Sequence, residues 1–341
     1  MSRAADVAPP LRLMFGGDVM LGRHVRDVMQ GSGTHAPLEG VAPLLRSADL
    51  AVANLECALT DATNRWHGAP KAYYFAGPPD GGQALSDAGI RLVSLANNHS
   101  LDYDVQGLAD TVRILDLHGI AHTGAGADLG QALAPAIVPC GEVLVGMAAF
   151  CDHQDDFAAT DDRPGIAWLD LHDEPAAMDA FARALAALRA AGVRWTILSL
   201  HWGPNMVTAP SPHLRRLAYA AIDMGWKIVY GHSAHIFHGV ELYRDCPILY
   251  ACGDLVDDYA IDPELRNDHQ LLFEVELGDD GLRRIVLHPV FIRRGRAVPA
   301  DHTQRTWIYA RMRALCRDLG TEAQMEGDVL VVERDAATPH E

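Results

Sequence analysis

Short apolar runs alternate with stretches of helical period along this chain, the rhythm of an α/β fold. Runs at 11–16, 50–53, 91–96, 143–150, 195–200, 227–230 and 248–251 read as strands. An amphipathic stretch covers 21–29. A helix is predicted over 104–118, capped by Asp104, with Val105, Leu108, Val112 and Leu115 on one face and Gly119 at its end. Another spans 175–191, with Pro175 in its first turn and Met178, Phe181, Leu185 and Leu188 inward. A third opens at Ser211-Pro212, buries Leu214, Leu217, Ala221 and Ile222, and stops at Gly225. From Leu271 the pattern turns antiparallel, with runs at 271–277 and 282–292 around Gly278-Asp279-Asp280-Gly281. A last helix is expected over 303–319, then an acidic, frayed tail. The Gly124-Ala125-Gly126-Ala127-Asp128-Leu129-Gly130 segment misses the dinucleotide-loop spacing by one residue and reads as a turn entering a short helix. No repeat, low-complexity segment or Gly/Ser linker divides the chain. The expected organisation is a tail at 1–10, one domain at 11–295, and a C-terminal helix and tail at 296–341.

Composition narrows the partners. Of 341 residues, 28 are Lys or Arg and 45 are Asp or Glu, a formal charge of −17. Nucleic acid is therefore not an expected partner, because phosphate neutralisation needs clustered cations. Polyanions are repelled as well, unless a bound cation reverses the local field. The 49% of hydrophobic residues excludes disorder as the main state. Six cysteines without a C-x-x-C pair read as reduced thiols of a cytoplasmic chain. No apolar run reaches a membrane span, and the first ten residues lack a signal-peptide pattern, so no membrane partner is expected. Histidine stands out, with 17 copies.

The polar residues fall where they matter. Asp18 follows the first strand, Asn54 and Glu56 the second, and Asn97, Asn98 and His99 the third. His201 follows the run at 195–200, and His232 and His235 the run at 227–230. Ligands of open α/β sheets bind outside the carboxyl ends of the strands, so five such ends should converge on one site. Mixed Asp, Glu, Asn and His donors suit one or two divalent ions such as Mn, Fe or Zn in an open catalytic site. The i, i+3 spacing of His232 and His235 brings two imidazoles to one ion, and His238 repeats that spacing.

The blocks Gly17-Asp18-Val19-Met20-Leu21-Gly22-Arg23, Asn54-Leu55-Glu56, Ser94-Leu95-Ala96-Asn97-Asn98-His99, His201-Trp202-Gly203 and Gly231-His232-Ser233-Ala234-His235 stand in the order of the CapA family. So does Ile248-Leu249-Tyr250-Ala251-Cys252-Gly253-Asp254-Leu255. Over about 11–295 the chain resembles that family, which is named for poly-γ-glutamate capsule synthesis and looks like a branch of the calcineurin-like metallophosphoesterases. The resemblance implies a four-layer α/β/β/α sandwich with a two-metal site between the sheets. It implies Asp18, Glu56, Asn98, His201, His232 and His235 as metal ligands and His99 as the acid for a leaving group. Met20 stands where the superfamily has a His, Glu56 where a bridging Asp is usual, Ser100 where an acid follows Asn-His, and Ser233 where the family has a middle His.

Three functions follow. One is a hydrolase using metal-activated water on a phosphoester or amide, with His99 as proton donor. The second is a cytosolic peptide epimerase tailoring a ribosomal peptide, with His99, Asp254 and Cys57 as candidate proton carriers. The third is a non-catalytic scaffold. The substrate is a small molecule or peptide, with Asn54, Asn97 and Trp202 as candidate binding residues and Lys71, Tyr73 and Tyr74 as a possible wall. His24 could replace the imidazole missing at Met20, and His238 reads as a loop residue behind the ligands. The acidic pairs Asp155–Asp156, Asp161–Asp162 and Asp257–Asp258 read as solvated loops, although the last, with Tyr259, follows a site strand. The sequence sets no oligomeric state.

Overall fold

The computed structural model describes residues 9–334; the expected tail ends at 1–8 and 335–341 lie outside the described residues. Two large sheets form among them. In the first, Leu11–Val19, Leu50–Leu55, Ile90–Ser94 and Ala121–Thr123 run parallel in that order. The antiparallel strands His269–Gly278 and Gly281–Ile292 continue it on the other side. In the second, Val143–Cys151, Trp195–His201, Ile228–His232 and Cys246–Leu249 are parallel, flanked by the antiparallel strands Ala136–Cys140 and Val240–Tyr243.

Side chains of a strand alternate between faces, and that alternation builds the layers. Leu13, Phe15, Leu50, Val52 and Leu92 point to the space between the sheets, where they meet Val145, Met147, Trp195, Ile197, Ile228 and Tyr230. Met14, Ala51, Ala53 and Val93 point the other way, beneath helices Arg23–Ser32, Gly81–Ala88 and Asp104–Leu117. Ala148, Phe150, Leu198, Leu200 and Val229 do the same on the second sheet, under helices Glu174–Ala190 and Pro212–Met224. The result is the α/β/β/α sandwich. Each fully buried Leu or Phe contributes about 1.5–3 kcal/mol of transfer free energy. No helix among the described residues is long and apolar enough to cross a membrane.

Most helix signals behave as read. Ser211 accepts from the Leu214 N–H at the start of Pro212–Met224, and Leu214, Leu217, Ala221 and Ile222 are buried. Asp128 caps the short helix Leu129–Leu133. Asp104 does not cap its helix: Tyr103 occupies that position, and Asp104 sits at φ 58. The inward face of Asp104–Leu117 is also rotated from expectation, to Gly107, Leu108, Thr111, Ile114 and Leu115, leaving Val105 exposed. The reason is local: Thr111 Oγ1 accepts from the Leu59 N–H at 2.8 Å, so a polar residue earns the buried position.

The frayed C-terminal tail is a correction. After helix His302–Asp318, closed at its start by the Asp301–Gln304 capping box, strands Gln324–Glu326 and Val329–Glu333 add to the first sheet along Gly281–Ile292. Exposed Gln324, Met325 and Glu326 masked the strand period. The short strand Asp254–Val256, parallel to Leu11–Val19, was also missed.

Glu274 ties the antiparallel half of the first sheet to the parallel half. Its carboxylate takes the Arg12 guanidinium from one neighbouring strand and His288 Nε2, at 2.7 Å, from the other. Burial pushes this carboxyl up, but the bonds from His288 and Arg12 outweigh it and bring it to about 2. A carboxyl depressed in the folded state stabilises above its unfolded pKa and loses that contribution as the pH falls through the folded value. Glu274→Gln should therefore cost about 1.5–3 kcal/mol at neutral pH, the range for hydrogen bonds to charged groups. In urea unfolding followed against pH, the deficit should shrink below about 4.5, the ordinary Glu value, towards pH 2.

Candidate metal centre

The site lies on the seam where both sets of parallel strands end. Asp18 is in register with Asn54 on one side and with Asp254 on the other. That second pairing needs Gly17, because a Cβ there would stand 1.9 Å from the Gly253 carbonyl oxygen. The opposite sheet supplies His201 and His232, paired across adjacent strands. Tyr230 locks the two sheets at this level: its ring packs on Phe15, and its hydroxyl donates to the Gly16 carbonyl at 2.7 Å.

Two donor groups result, and Asp18 belongs to both. Asp18, His201 and His232 offer atoms within 4.8 Å of one another, as do Asp18, Glu56, His235 and Asp254. Asp18 Oδ1 is 3.7 Å from His232 Nδ1, and Oδ2 is 3.6 Å from His235 Nδ1. Glu56 straddles the same pair, with Oε1 3.7 Å from His201 Nε2 and Oε2 3.9 Å from His235 Nδ1. His235 Nδ1 lies 2.9 Å from Asp254 Oδ1. The loop carrying it is held in an unusual path, with Ser233 at φ 100 and His235 at φ 58, and the Ser233 N–H donates to Asp18 Oδ2.

The donor set fits a divalent cation. Glu56 Oε1, Asp254 Oδ2 and Asn98 Oδ1 are buried without a hydrogen-bond partner. Burial pushes the Asp18, Glu56 and Asp254 carboxyls up, the last two strongly, with neighbouring carboxylates adding to the effect on Glu56 and Asp254. Burial also brings His232 down to about 3 and holds His201 well below its ordinary value, which favours neutral imidazoles. His201 Nδ1 and His232 Nδ1 are 2.8 Å apart, the distance of a hydrogen bond in which one ring donates to the other, and both nitrogens are close enough together to turn to one cation beside them. Buried, crowded carboxylates beside neutral imidazoles are stable when a metal ion balances them.

His99 stands beside these groups. Its Nδ1 pairs with Asp102 Oδ2 at 2.6 Å, and its ring stacks on Phe75 at 4.1 Å. Burial brings His99 down to about 4 against the opposing pull of Asp102. His99, His235, Arg23, Tyr73, Phe75 and Tyr259 line one cleft of about 490 Å³. Another concavity, about 460 Å³ beside helix Asp104–Leu117, contains none of the donors.

Several expectations need correction. Asn54 and Asn97 do not face a substrate. Asn54 Nδ2 donates to Asp18 Oδ1 and its Oδ1 accepts from Asn97, whose own Oδ1 accepts from the His99 N–H; both residues are fully buried. Trp202 is buried against Tyr250 with Nε1 on the Tyr250 carbonyl, away from the cleft. Cys57 points into the core beneath Leu21, and burial pushes its thiol up to about 12, so it is no proton carrier. His24 is exposed, and His238 bonds the Val207 carbonyl; neither joins the donors. Lys71 is not a wall but is buried against Asp102, while Tyr74 packs under Arg65 outside the main cleft.

Asp257, Asp258 and Tyr259 do not form a solvated loop. Asp257 is buried and pushed by that burial up to about 6, Asp258 pairs with Arg23, and the Tyr259 ring edges onto His235. Asp156 is also engaged, accepting from Trp66 Nε1 and the Ala69 N–H. Sequence reasoning also missed Asp102 and the Asp152–His153 pair, whose His153 Nε2 lies 3.3 Å from Ser233 Oγ. The spacing of Asp102, three residues after His99, was the available signal.

Comparisons with known proteins bear on the family and the fold. The family model described as bacterial capsule synthesis protein PGA_cap matches residues 12–259. A probable polyglutamine synthesis accessory protein of Mycobacterium tuberculosis is 32% identical, with 94% of each chain covered. The capsule biosynthesis protein CapA of Bacillus anthracis is 26% identical over 85% of this chain and 69% of its own length. The PGA biosynthesis protein CapA of Bacillus subtilis is 27% identical over 85% of this chain and 73% of its own length. A crystal structure of a phosphatase from Mycoplasma pneumoniae shares the fold, with a TM-score of 0.50 at 10% identity, covering 89% of this chain and 99% of that one.

Asp18 serves both donor groups and His235 only one. Elemental analysis after Mn²⁺ loading should find Asp18→Ala without bound metal and His235→Ala with part of it. Unchanged content in both would remove this site. At 100 times its Kd, Mn²⁺ should add about 2.7 kcal/mol to thermal stability, and chelation should reverse the gain.

Proposed function

Because the chain belongs to the bacterial capsule synthesis (CapA) family and shares the fold of a solved phosphatase, we propose that it is a metal-dependent hydrolase of phosphoester or amide bonds, of the calcineurin-like metallophosphoesterase type. One observation carries the reading: two ligand-quality donor groups share Asp18, and an Asp-oriented histidine opens onto the same cleft.

Asp18, Glu56, Asn98, His201, His232, His235 and Asp254 would hold one or two divalent ions of Mn, Fe or Zn. Bound there, the cation supplies Lewis-acid stabilisation of charge developing on a phosphoryl or carbonyl oxygen. The remaining work belongs to the chain. Asp102 holds His99 through Nδ1, which leaves Nε2 as the ring atom that moves a proton to or from the reacting group. Asn54 and Asn97 fix Asp18 and the His99 backbone in one hydrogen-bonded chain, so neither turns with the substrate. Phe75 stacks on His99 and Tyr259 meets His235 edge-on, so each imidazole is covered on one side while both still line the cleft. Arg23, held by Asp258 over Tyr73, Phe75 and Tyr259, places a guanidinium at the cleft wall.

Peptide epimerisation, the alternative, needs proton carriers on both faces of a Cα. With Cys57 in the core, His99 and Asp254 are left of the three expected.

The test is incubation with Mn²⁺ in D₂O, using aryl phosphate mono- and diesters and a peptide panel. The panel should include glutamine- and glutamate-rich peptides, because the relatives are named for polyglutamine and capsule synthesis. Mass spectrometry should find cleavage with gain of water. Deuterium at Cα without cleavage would sink the hydrolase reading in favour of epimerisation, and neither change would favour a scaffold. His99→Asn and Asp102→Asn should lower kcat by about 10²–10⁴-fold, the usual contribution of general acid–base catalysis, with metal content unchanged.

A further inference from the structure

The residues at 60–75 have no helix or strand, yet they form one side of the cleft. Within them lies Lys71, an ammonium whose side chain is only 7% exposed. It donates to two acceptors, the Asn98 carbonyl and Asp102 Oδ1, and lies 4.7 Å from the centre of the Phe157 ring. Asp102 is fully buried and spends its other oxygen on His99 Nδ1 and the Phe75 N–H. A single cation thus touches the backbone of a candidate metal ligand and the carboxylate that orients the candidate proton carrier.

We propose that Lys71 is a positioning residue for His99, acting through Asp102 and the Asn98 backbone; its catalytic consequence rests on the hydrolase reading above. The chemistry favours this over simple loop anchoring. Replacing a buried ion pair by apolar side chains is often neutral for stability, so a fold has no general need of a charge there. The loop also has anchors that do not involve Lys71. Trp66 Nε1 and the Ala69 N–H both bind Asp156 Oδ2, the Trp66 N–H donates to the Asp102 carbonyl, and the Trp66 ring meets Phe157 edge-on. What the ammonium adds is directional. With Asp102 Oδ1 held by Lys71, Oδ2 stays aimed at His99 Nδ1, and the imidazole stays against Phe75. Outer partners of this kind carry about 10–100-fold in activity where they orient a functional histidine.

The test uses the full chain with ¹⁵N-labelled histidine, reading by NMR the low-field Nδ1–H signal of His99, assigned by its absence in His99→Asn. Lys71→Met should shift or broaden this signal, and Lys71→Arg should restore it in part. Asp156→Asn, which loosens the loop's other anchor, should leave it in place. The difference in tryptophan fluorescence between each variant and the same variant carrying Trp66→Phe checks that the loop remains seated, and Lys71→Gln stands in if Lys71→Met does not fold. For any substrate that is turned over, Lys71→Met should lower kcat about tenfold with little change in KM. An unmoved signal in Lys71→Met, or an equal shift in Asp156→Asn, would overturn the proposal. The spectroscopic result stands whether or not hydrolysis is observed, so failure of the hydrolase reading is read separately from failure of this one.

Discussion

Asp18, Glu56, Asp254 and Asp257 are buried together at the seam of two sheets, and the rest of the site is arranged around that burden. Isolated carboxylates out of water are expensive, and neighbours of the same sign make them more so. The protein answers with imidazoles kept neutral by the same burial, and with oxygens left unpaired where a cation would bind. Close backbone contact makes the crowding possible. Without a bare Gly17 against Gly253, the strand bearing Asp254 could not lie beside the one bearing Asp18.

Around this charged centre the supporting shell is rigid. Asn97, Asn54 and Asp18 form a buried relay of amide and carboxylate, and Tyr230 bolts one sheet to the other just below it. Side chains committed in this way lose little freedom when a substrate arrives, which is how precise sites are held on strands rather than on loops. The exception is the irregular segment bearing Lys71, Tyr73 and Phe75, which reaches the site through Asp102.

Much of this was legible from residues alone, for a physical reason. Parallel strands buried on both faces write continuous apolar runs, and polar residues at their carboxyl ends have to converge. Asp18, Glu56, His201, His232 and His235 were found that way, and the structure brings them together. Pattern could not show which way a residue next to a ligand points. Cys57 follows Glu56 by one position, but in the turn between Leu50–Leu55 and Ala58–Leu59 its side chain goes into the core. Asn54 and Asn97 have the chemistry of binding residues but spend it on each other. Asp257 looked solvated because its run is acidic, and only the three-dimensional path shows it buried behind Asp254. Asp102 was missed although it stands three residues after His99, and Lys71, expected in a substrate wall, could not be linked to Asp102 because the segment that joins them has no period to read.

The C-terminal hairpin has a significance separate from the site. Strand Gly281–Ile292 is twelve residues long, and its outer side is covered by Val329–Glu333 at 284–287 and by Ala297–Pro299 at 290–292. The sheet then ends in Gln324–Glu326, three exposed residues too short and too polar to recruit another strand. The hairpin thus works as a terminator for the sheet. A chain cut before it would uncover the apolar edge around Ile285, Val286 and Leu287 to its neighbours, and its failure would appear as aggregation rather than as lost chemistry.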